Sequence, residues 1–216
     1  YRIRYYKREE TKQIKDIKHP SVRACIEYLK IKTHLDIVHH ADIPARSGLG
    51  SSSTFTVGLL HALYALDNQM PSKRTLALDA IHVEQNLLNE NVGAQDQTSA
   101  AYGGLNKIDF GGPNLIDVNQ LIIDPKKLKK LNESCILLYT GIQRTASDLA
   151  ITQINTIPKK TKELSEMLDL VTEGCKILSE KNKTINDFGL LLDEQWKLKK
   201  SMSNKITNEK IDSIYS

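Results

Sequence analysis

Residues Pro44-Ala45-Arg46-Ser47-Gly48-Leu49-Gly50-Ser51-Ser52-Ser53-Thr54 set two glycines and four consecutive hydroxyl side chains just before an apolar run at helical spacing. Glycines let a backbone turn tightly and approach an anion, and unsatisfied N–H groups at a helix start point at it. The stretch has the chemistry of a phosphate cradle. Two carboxylates follow it. Glu84 lies in the apolar stripe Ala77, Ile81, Glu84, Leu88. There it either reaches solvent at the stripe's edge or needs a partner, a metal or a shifted pKa. Asp96 lies in a stretch dense in small and amide residues, Asn91 to Gly104. That composition suits close backbone approach to a ligand, or else an ordinary helix N-terminus with an acid in its first turn.

Phosphoryl transfer needs a positioned triphosphate, a divalent metal and a group that orients or deprotonates the acceptor hydroxyl. The loop can supply the first. A loop serine with Glu84 would offer hard oxygen ligands to Mg²⁺, and Asp96 would serve as the base. The loop is not a P-loop, because no Lys follows Gly48 or Gly50 in the required register, and Ser53 stands where a dinucleotide fingerprint needs its third glycine. The protein-kinase signature set is absent as well.

The elements that must carry these groups can be read in order. Tyr1 to Tyr6 alternates as a strand. Pro20 opens a helix with Val22, Cys25, Ile26 and Leu29 on one face. Leu35, Ile37 and Val38 form a strand ending in His39-His40, adjacent residues that point to opposite faces and so share a metal poorly. Phe55, Leu59, Leu63 and Leu66 mark the helix after the loop. Ser72 caps a second helix, with Leu76, Ala80, Val83 and Leu87 as its other stripe. Residues 105–110 and 115–123 read as strands around the turn Gly111-Gly112-Pro113-Asn114. The charged segment Asp124 to Glu133 is a candidate domain boundary. Cys135-Ile136-Leu137-Leu138-Tyr139 reads as a buried strand. It leads to Thr140 through Ser147, where Arg144 among hydroxyls either meets a second phosphate or caps a helix. Leu164, Leu168, Val171, Cys175 and Leu178 mark one later helix. Ile185, Phe188, Leu192 and Trp196 mark another, with Trp196 as a core anchor. Ile211 and Ile214 begin a last one.

A chain of 216 residues is long enough for one large or two modest domains. The net charge of +4 and Lys-rich pieces beside apolar positions read as solvated helix faces, not as a nucleic-acid surface. Three widely separated cysteines without a CxxC pair argue against a disulfide framework or a zinc site, and fit a reducing cytoplasm. No apolar run approaches the roughly 20 residues needed to span a membrane, and no signal peptide is visible. The opening on Tyr1, in a strand, leads us to expect a missing upstream segment.

The loop Pro44 to Ser53 closely resembles the central motif of the GHMP kinases, which include galactokinase, homoserine kinase and mevalonate kinase. The likeness extends through His19 to Arg23, Gly93 to Gln97, Ala100 to Gly104, Gly141 to Ser147 and Trp196 to Lys199. Within the family the chain looks most like sugar kinases that phosphorylate a heptose 7-phosphate at its anomeric oxygen. The resemblance implies an α+β fold of two domains: an N-terminal GHMP domain over residues 1–130, and a helix-rich, ferredoxin-like domain over 131–216. It implies ATP and Mg²⁺ as cofactors. The loop Arg46, Ser47, Gly48, Leu49, Gly50, Ser51 and Ser52 would wrap the phosphates. Ser52 and Glu84 fall on the metal ligands, and Asp96 on the aspartate that contacts the acceptor hydroxyl. Gln97, Tyr102 and Arg144 are the expected substrate contacts, Arg144 for the substrate's own phosphate. The family's first and third motifs have no counterpart here, so both ends are expected to be trimmed. The expected partners are ATP and a small sugar phosphate, with no nucleic acid and no membrane, for a cytoplasmic monomer or homodimer. A kinase for fucose or another neutral sugar, and a catalytically silent ligand-binding member, stay open beside this reading.

Overall fold

The structure is a computed structural model and describes residues 1–42, 48–112, 115–142, 157, 160–203 and 206–216. The chain forms two compact units, divided between Gly103 and Gly104.

The first unit begins with three short strands, β1 (Arg2–Arg4), β2 (Arg8–Glu10) and β3 (Asp36–Val38), in the order β2-β1-β3. β1 runs antiparallel to β2 and parallel to β3, with Ile3 opposite Glu9 on one side and Ile37 on the other. A parallel pair needs a crossover, and α1 (Pro20–Tyr28) lies within it. Pro20 takes the first helical turn and His19 caps it, Nδ1 accepting from the Val22 N–H at 3.4 Å. The inward face of α1 supplies Val22, Cys25 and Ile26, each fully buried.

Glu9 is a buried carboxylate beside this crossover. Its Oε1 accepts from the Tyr5 hydroxyl (2.8 Å) and the His19 N–H (3.1 Å), and its Oε2 from the Lys18 N–H (2.6 Å). Burial pushes its pKa up, but the hydrogen bonds outweigh burial and hold it below the ordinary carboxylate value. The same site lowers the pKa of His19, chiefly by burial, and keeps the imidazole a hydrogen-bond acceptor.

Three helices complete the unit: α2 (Ser51–Leu66), α3 (Lys73–His82) and α4 (Gln95–Tyr102). Ser72 caps α3 as its sequence implies, its Oγ accepting from the Thr75 N–H at 3.0 Å. The buried face of α2 keeps Leu59 and Leu63 of the expected stripe, with Phe55 packed beside the core, and widens to take in Thr56, Val57 and Leu60, while Leu66 is 53% exposed. Thr56 belongs to the core side because its hydroxyl has a buried acceptor there. At its end α3 widens into one π-turn, Val83–Leu87, closed by the Leu88 N–H on the Val83 carbonyl at 2.9 Å. Asp79 ties the helices together. It accepts from the Tyr28 hydroxyl of α1 and the Tyr64 hydroxyl of α2, each at 2.6 Å. Burial and then the hydrogen bond to Asp79 push both phenols up, Tyr28 to about 12.

The second unit opens with the hairpin β4 (Asn106–Gly112) and β5 (Leu115–Gln120), antiparallel, with Ile108 opposite Val118 and an irregularity between Phe110 and Gly112. The charged segment after it is a helix, α5 (Pro125–Ser134), capped by Asp124, whose Oδ1 accepts from the Lys126 and Lys127 N–H groups. α6 (Thr161–Ser179) and α7 (Ile185–Met202) pack where Gly174 meets Phe188 and Leu191. Thr184 and Asp187 form a capping box at the start of α7. α8 (Glu209–Tyr215) places the Tyr215 ring 5.7 Å from that of Trp196. Trp196 is half-buried, a flank of this contact rather than the expected core anchor.

Cys135 to Tyr139 corrects the sequence reading. It forms no strand among the described residues, and Ile136, Leu137, Leu138 and Tyr139 are 83%, 72%, 61% and 63% exposed. A short apolar run signals strand propensity, not the presence of a pairing partner.

The Asp79 clamp predicts that Tyr28→Phe and Tyr64→Phe each cost about 1–2 kcal/mol, and that Asp79→Ala costs more than either because it strands two partly buried phenols. Chemical denaturation of the three variants checks this. A lowered Glu9 pKa means the folded state binds that proton less readily than the unfolded one. The stabilisation is complete above the ordinary value of about 4.3 and disappears as pH falls through the lowered one. Glu9→Gln is expected to flatten the acid limb of a stability–pH profile and leave the neutral region sloped as before.

Candidate active site

Gly48 and Gly50 hold φ values of +80° and +67°, a region that side chains disfavour. Gly50 is the N-cap of α2, and among the described residues no side chain caps the helix there. The first intrahelical bond runs from the Thr54 N–H to the Gly50 carbonyl at 2.9 Å. The N–H groups ahead of Thr54 therefore have no intrahelical acceptor and form an anion site of the kind found at helix starts. Ser51 is half-buried and Ser52 exposed.

Asp96 enters from the first turn of α4. A Cβ built on Gly50 would lie 3.0 Å from its Oδ2 and 3.1 Å from its Cγ. The carboxylate packs directly over the glycine, and any side chain at position 50 would displace it. The structure thus brings together the loop and Asp96, which are 46 positions apart in sequence (96 − 50 = 46).

Glu84 occupies the π-turn at the end of α3, a distortion common at functional sites. It is 1% exposed. Its Oε2 accepts from the Ser53 hydroxyl at 2.8 Å and from the Gln97 amide, and its Oε1 from the Thr56 hydroxyl at 2.8 Å. All three donors are neutral, so the negative charge is solvated by the protein but not cancelled. Its neighbours feel it. Burial and then Glu84 push the Cys25 thiol up to about 12, and the same two causes raise Glu90.

The expected residues fall into three groups. Gly48, Leu49, Gly50, Ser51 and Asp96 lie at or beside the start of α2. Ser52 does not join Glu84 through its side chain; Ser53, one position on, does. Gln97 is fully buried against Glu84, away from any open surface, and its Oε1 has no hydrogen-bond partner among the described residues. Tyr102 ends α4 half-buried, its carbonyl accepting from Lys73 Nζ at 2.6 Å. Arg46, Ser47 and Arg144 lie outside the described residues. Ser53 and Thr56 are the residues that sequence reasoning missed. Their signal was two hydroxyls at i and i+3, one helical face.

The oxygens brought together at Glu84 are its own carboxylate and the Ser53 and Thr56 hydroxyls, a donor set suited to a hard divalent cation, while Gln97 turns its N–H toward the carboxylate. Mg²⁺ sites commonly use one or two carboxylates together with substrate phosphates, which matches a single buried carboxylate near an anion cradle. A concavity of about 490 Å³ lined by Tyr5, Lys7, Arg8, Glu9 and Lys18 includes neither the loop nor Asp96.

Residues 20–104, which carry the loop, Glu84 and Asp96, belong to a GHMP kinase N-terminal domain by sequence match. The family model for the GHMP kinases N terminal domain matches residues 20–104, ending where the first compact unit ends. Among characterised proteins the chain is 30% identical over 179 residues to the D-glycero-alpha-D-manno-heptose 7-phosphate kinase of Campylobacter jejuni, covering 82% of this chain and 52% of that protein. It is 26% identical over 187 residues to the bifunctional fucokinase/GDP-fucose pyrophosphorylase of Arabidopsis thaliana, covering 85% of this chain and 18% of that protein. Among solved structures, a D-glycero-D-manno-heptose 1-phosphate kinase from Bacteriodes thetaiotaomicron aligns with a TM-score of 0.67 at 23% identity, over 92% of this chain and 63% of that one. The fold is the α+β fold of the GHMP kinases, and the chain spans about half the length of the heptose kinase it matches.

Gly50→Ala is expected to cost about 1–2 kcal/mol for the positive φ, plus the cost of moving Asp96. Gly48→Ala has the same backbone strain but nothing within 4 Å of its Cβ. The excess destabilisation of Gly50→Ala over Gly48→Ala, read by urea unfolding, measures the contact with Asp96.

Proposed function

We propose that the chain is the catalytic core of an ATP-dependent, Mg²⁺-requiring sugar kinase, acting on the anomeric hydroxyl of a heptose 7-phosphate in the cytoplasm. One observation carries this: a carboxylate, Asp96, packed on Gly50 at the uncapped start of α2. A carboxylate opposes an anion cradle unless something sits between them. An acceptor hydroxyl fits there, its oxygen toward the terminal phosphate and its proton toward Asp96.

In this reading the N–H groups at the start of α2 hold phosphate oxygens, with Arg46, Ser47 and Ser51 completing the loop. Asp96 orients the sugar hydroxyl and takes its proton as the oxygen bonds to the γ-phosphorus and ADP leaves. Glu84 and Ser52 would hold Mg²⁺, which offsets phosphate charge when bound. Tyr102, at the other end of α4 from Asp96, is the proposed sugar contact, and Arg144 grips the phosphate already on the sugar. The proposed nucleotide-binding domain, residues 1–130, and second domain, 131–216, place the functional boundary beyond the division between compact units at Gly103 and Gly104. The heptose kinase relative supports the acceptor. The fucokinase relative favours a second reading, a neutral sugar.

A substrate panel decides between them. Turnover of heptose 7-phosphate with none of fucose is expected; the reverse result overturns the preferred acceptor. Asp96→Asn should lower kcat by roughly 10²–10⁴ while calorimetry still shows binding of an ATP analogue. A near-normal kcat would remove Asp96 from the base role. Arg144→Ala should raise KM for the sugar phosphate and leave that for ATP unchanged.

A further inference from the structure

Asp96 and Gln97 are adjacent on α4 but serve different surroundings. Asp96 is exposed and lies on Gly50. Gln97 is fully buried, and its amide donates to Glu84 Oε2. Glu84 also accepts from Ser53 and Thr56 of α2, and α2 begins at Gly50. The path closes on itself: α4 to Glu84, Glu84 to α2, α2 to Gly50, Gly50 to Asp96. Both helices that meet at the site are hydrogen-bonded to one carboxylate.

Gln97 is the residue through which α4 joins this circuit. Thr98 is buried beside it, but its hydroxyl donates within its own helix to the Ala94 carbonyl at 2.7 Å. Stability does not account for an amide here. Gln97 leaves its Oε1 unpartnered among the described residues, a cost that an apolar side chain of similar size avoids. What the amide adds is direction, because a hydrogen bond to a fixed carboxylate sets both the height and the rotation of α4.

We propose that Gln97 is a positioning residue: by latching α4 to Glu84 it sets the place of Asp96 over Gly50, and it does not contact substrate. This rests on the kinase reading for its effect on turnover, but not for its effect on structure. The test compares Gln97→Met with Thr98→Val, the latter showing what loss of a merely structural buried polar group looks like. In kinase assays Gln97→Met is expected to lower kcat about 10- to 100-fold, the scale of a small misplacement, with KM for sugar within about twofold of the parent. Thr98→Val should leave kcat and KM near those of the parent at temperatures below its melting point. A raised sugar KM with unchanged kcat in Gln97→Met makes Gln97 a substrate contact and overturns the proposal. Hydrogen exchange supplies the second readout. Faster exchange confined to the Thr98 and Gly103 amides of α4 and the Thr54 amide of α2 supports the latch. Exchange that is unchanged, or faster throughout the first unit, overturns it. If the parent protein turns over no sugar, the kinase reading fails and exchange alone decides the latch. If Gln97→Met does not fold, Gln97→Leu takes its place in both measurements.

Discussion

The buried carboxylate of Glu84, met among the described residues by three neutral donors, is the constraint on which the geometry of the first unit depends. Desolvating a carboxylate is costly unless hydrogen bonds replace water, and Glu84 obtains its bonds from two hydroxyls on α2 and one amide on α4. Those requirements explain features that look unrelated. The core face of α2 is widened so that Ser53 and Thr56 point inward. The end of α3 widens into a π-turn where Glu84 stands. The glycine at position 50 is where the two helices that serve Glu84 come close enough for Asp96 to lie on the backbone.

Charge arrangement gives the unit its chemical asymmetry. The start of α2 presents N–H groups, Asp96 lies against Gly50 there, and Glu84 is buried behind Ser53 and Thr56 of the same helix. Two carboxylates beside an anion cradle repel its ligand unless a cation and a proton stand between them. The pKa values of Cys25 and Glu90 are raised first by burial and then by the charge of Glu84.

Much of this was legible in the sequence, for identifiable reasons. The glycines and serines from Gly48 to Ser53, Pro20 after His19, and Ser72 before Lys73 are local signals whose chemistry is settled within one helical turn. Glu84 was visible as a carboxylate in an apolar stripe. What could not be read was which of three successive serines would meet it. One residue is a rotation of about 100° on a helix, and only the packing of α2 against α3 and α4 decides between Ser52 and Ser53. Gln97 was misplaced for the same reason: adjacent to Asp96 in sequence, it faces the interior. The helix at Pro125–Ser134 was signalled by the Asp124-Pro125 cap, but its charge drew the reading toward a linker. At Cys135 to Tyr139 the apolar run carried no information about whether another strand was there to meet it.

That last segment has a colloidal consequence. Cys135 to Tyr139 holds five uncharged residues with good strand-forming tendency, four of them well over half exposed. Such a stretch in water is a template for pairing between molecules, and its thiol can cross-link them under oxidation. Association of this chain in concentrated solution is therefore expected to respond to this short patch in the second unit. A lysine placed at Leu137 and a serine at Cys135 would address it without touching any residue of the site.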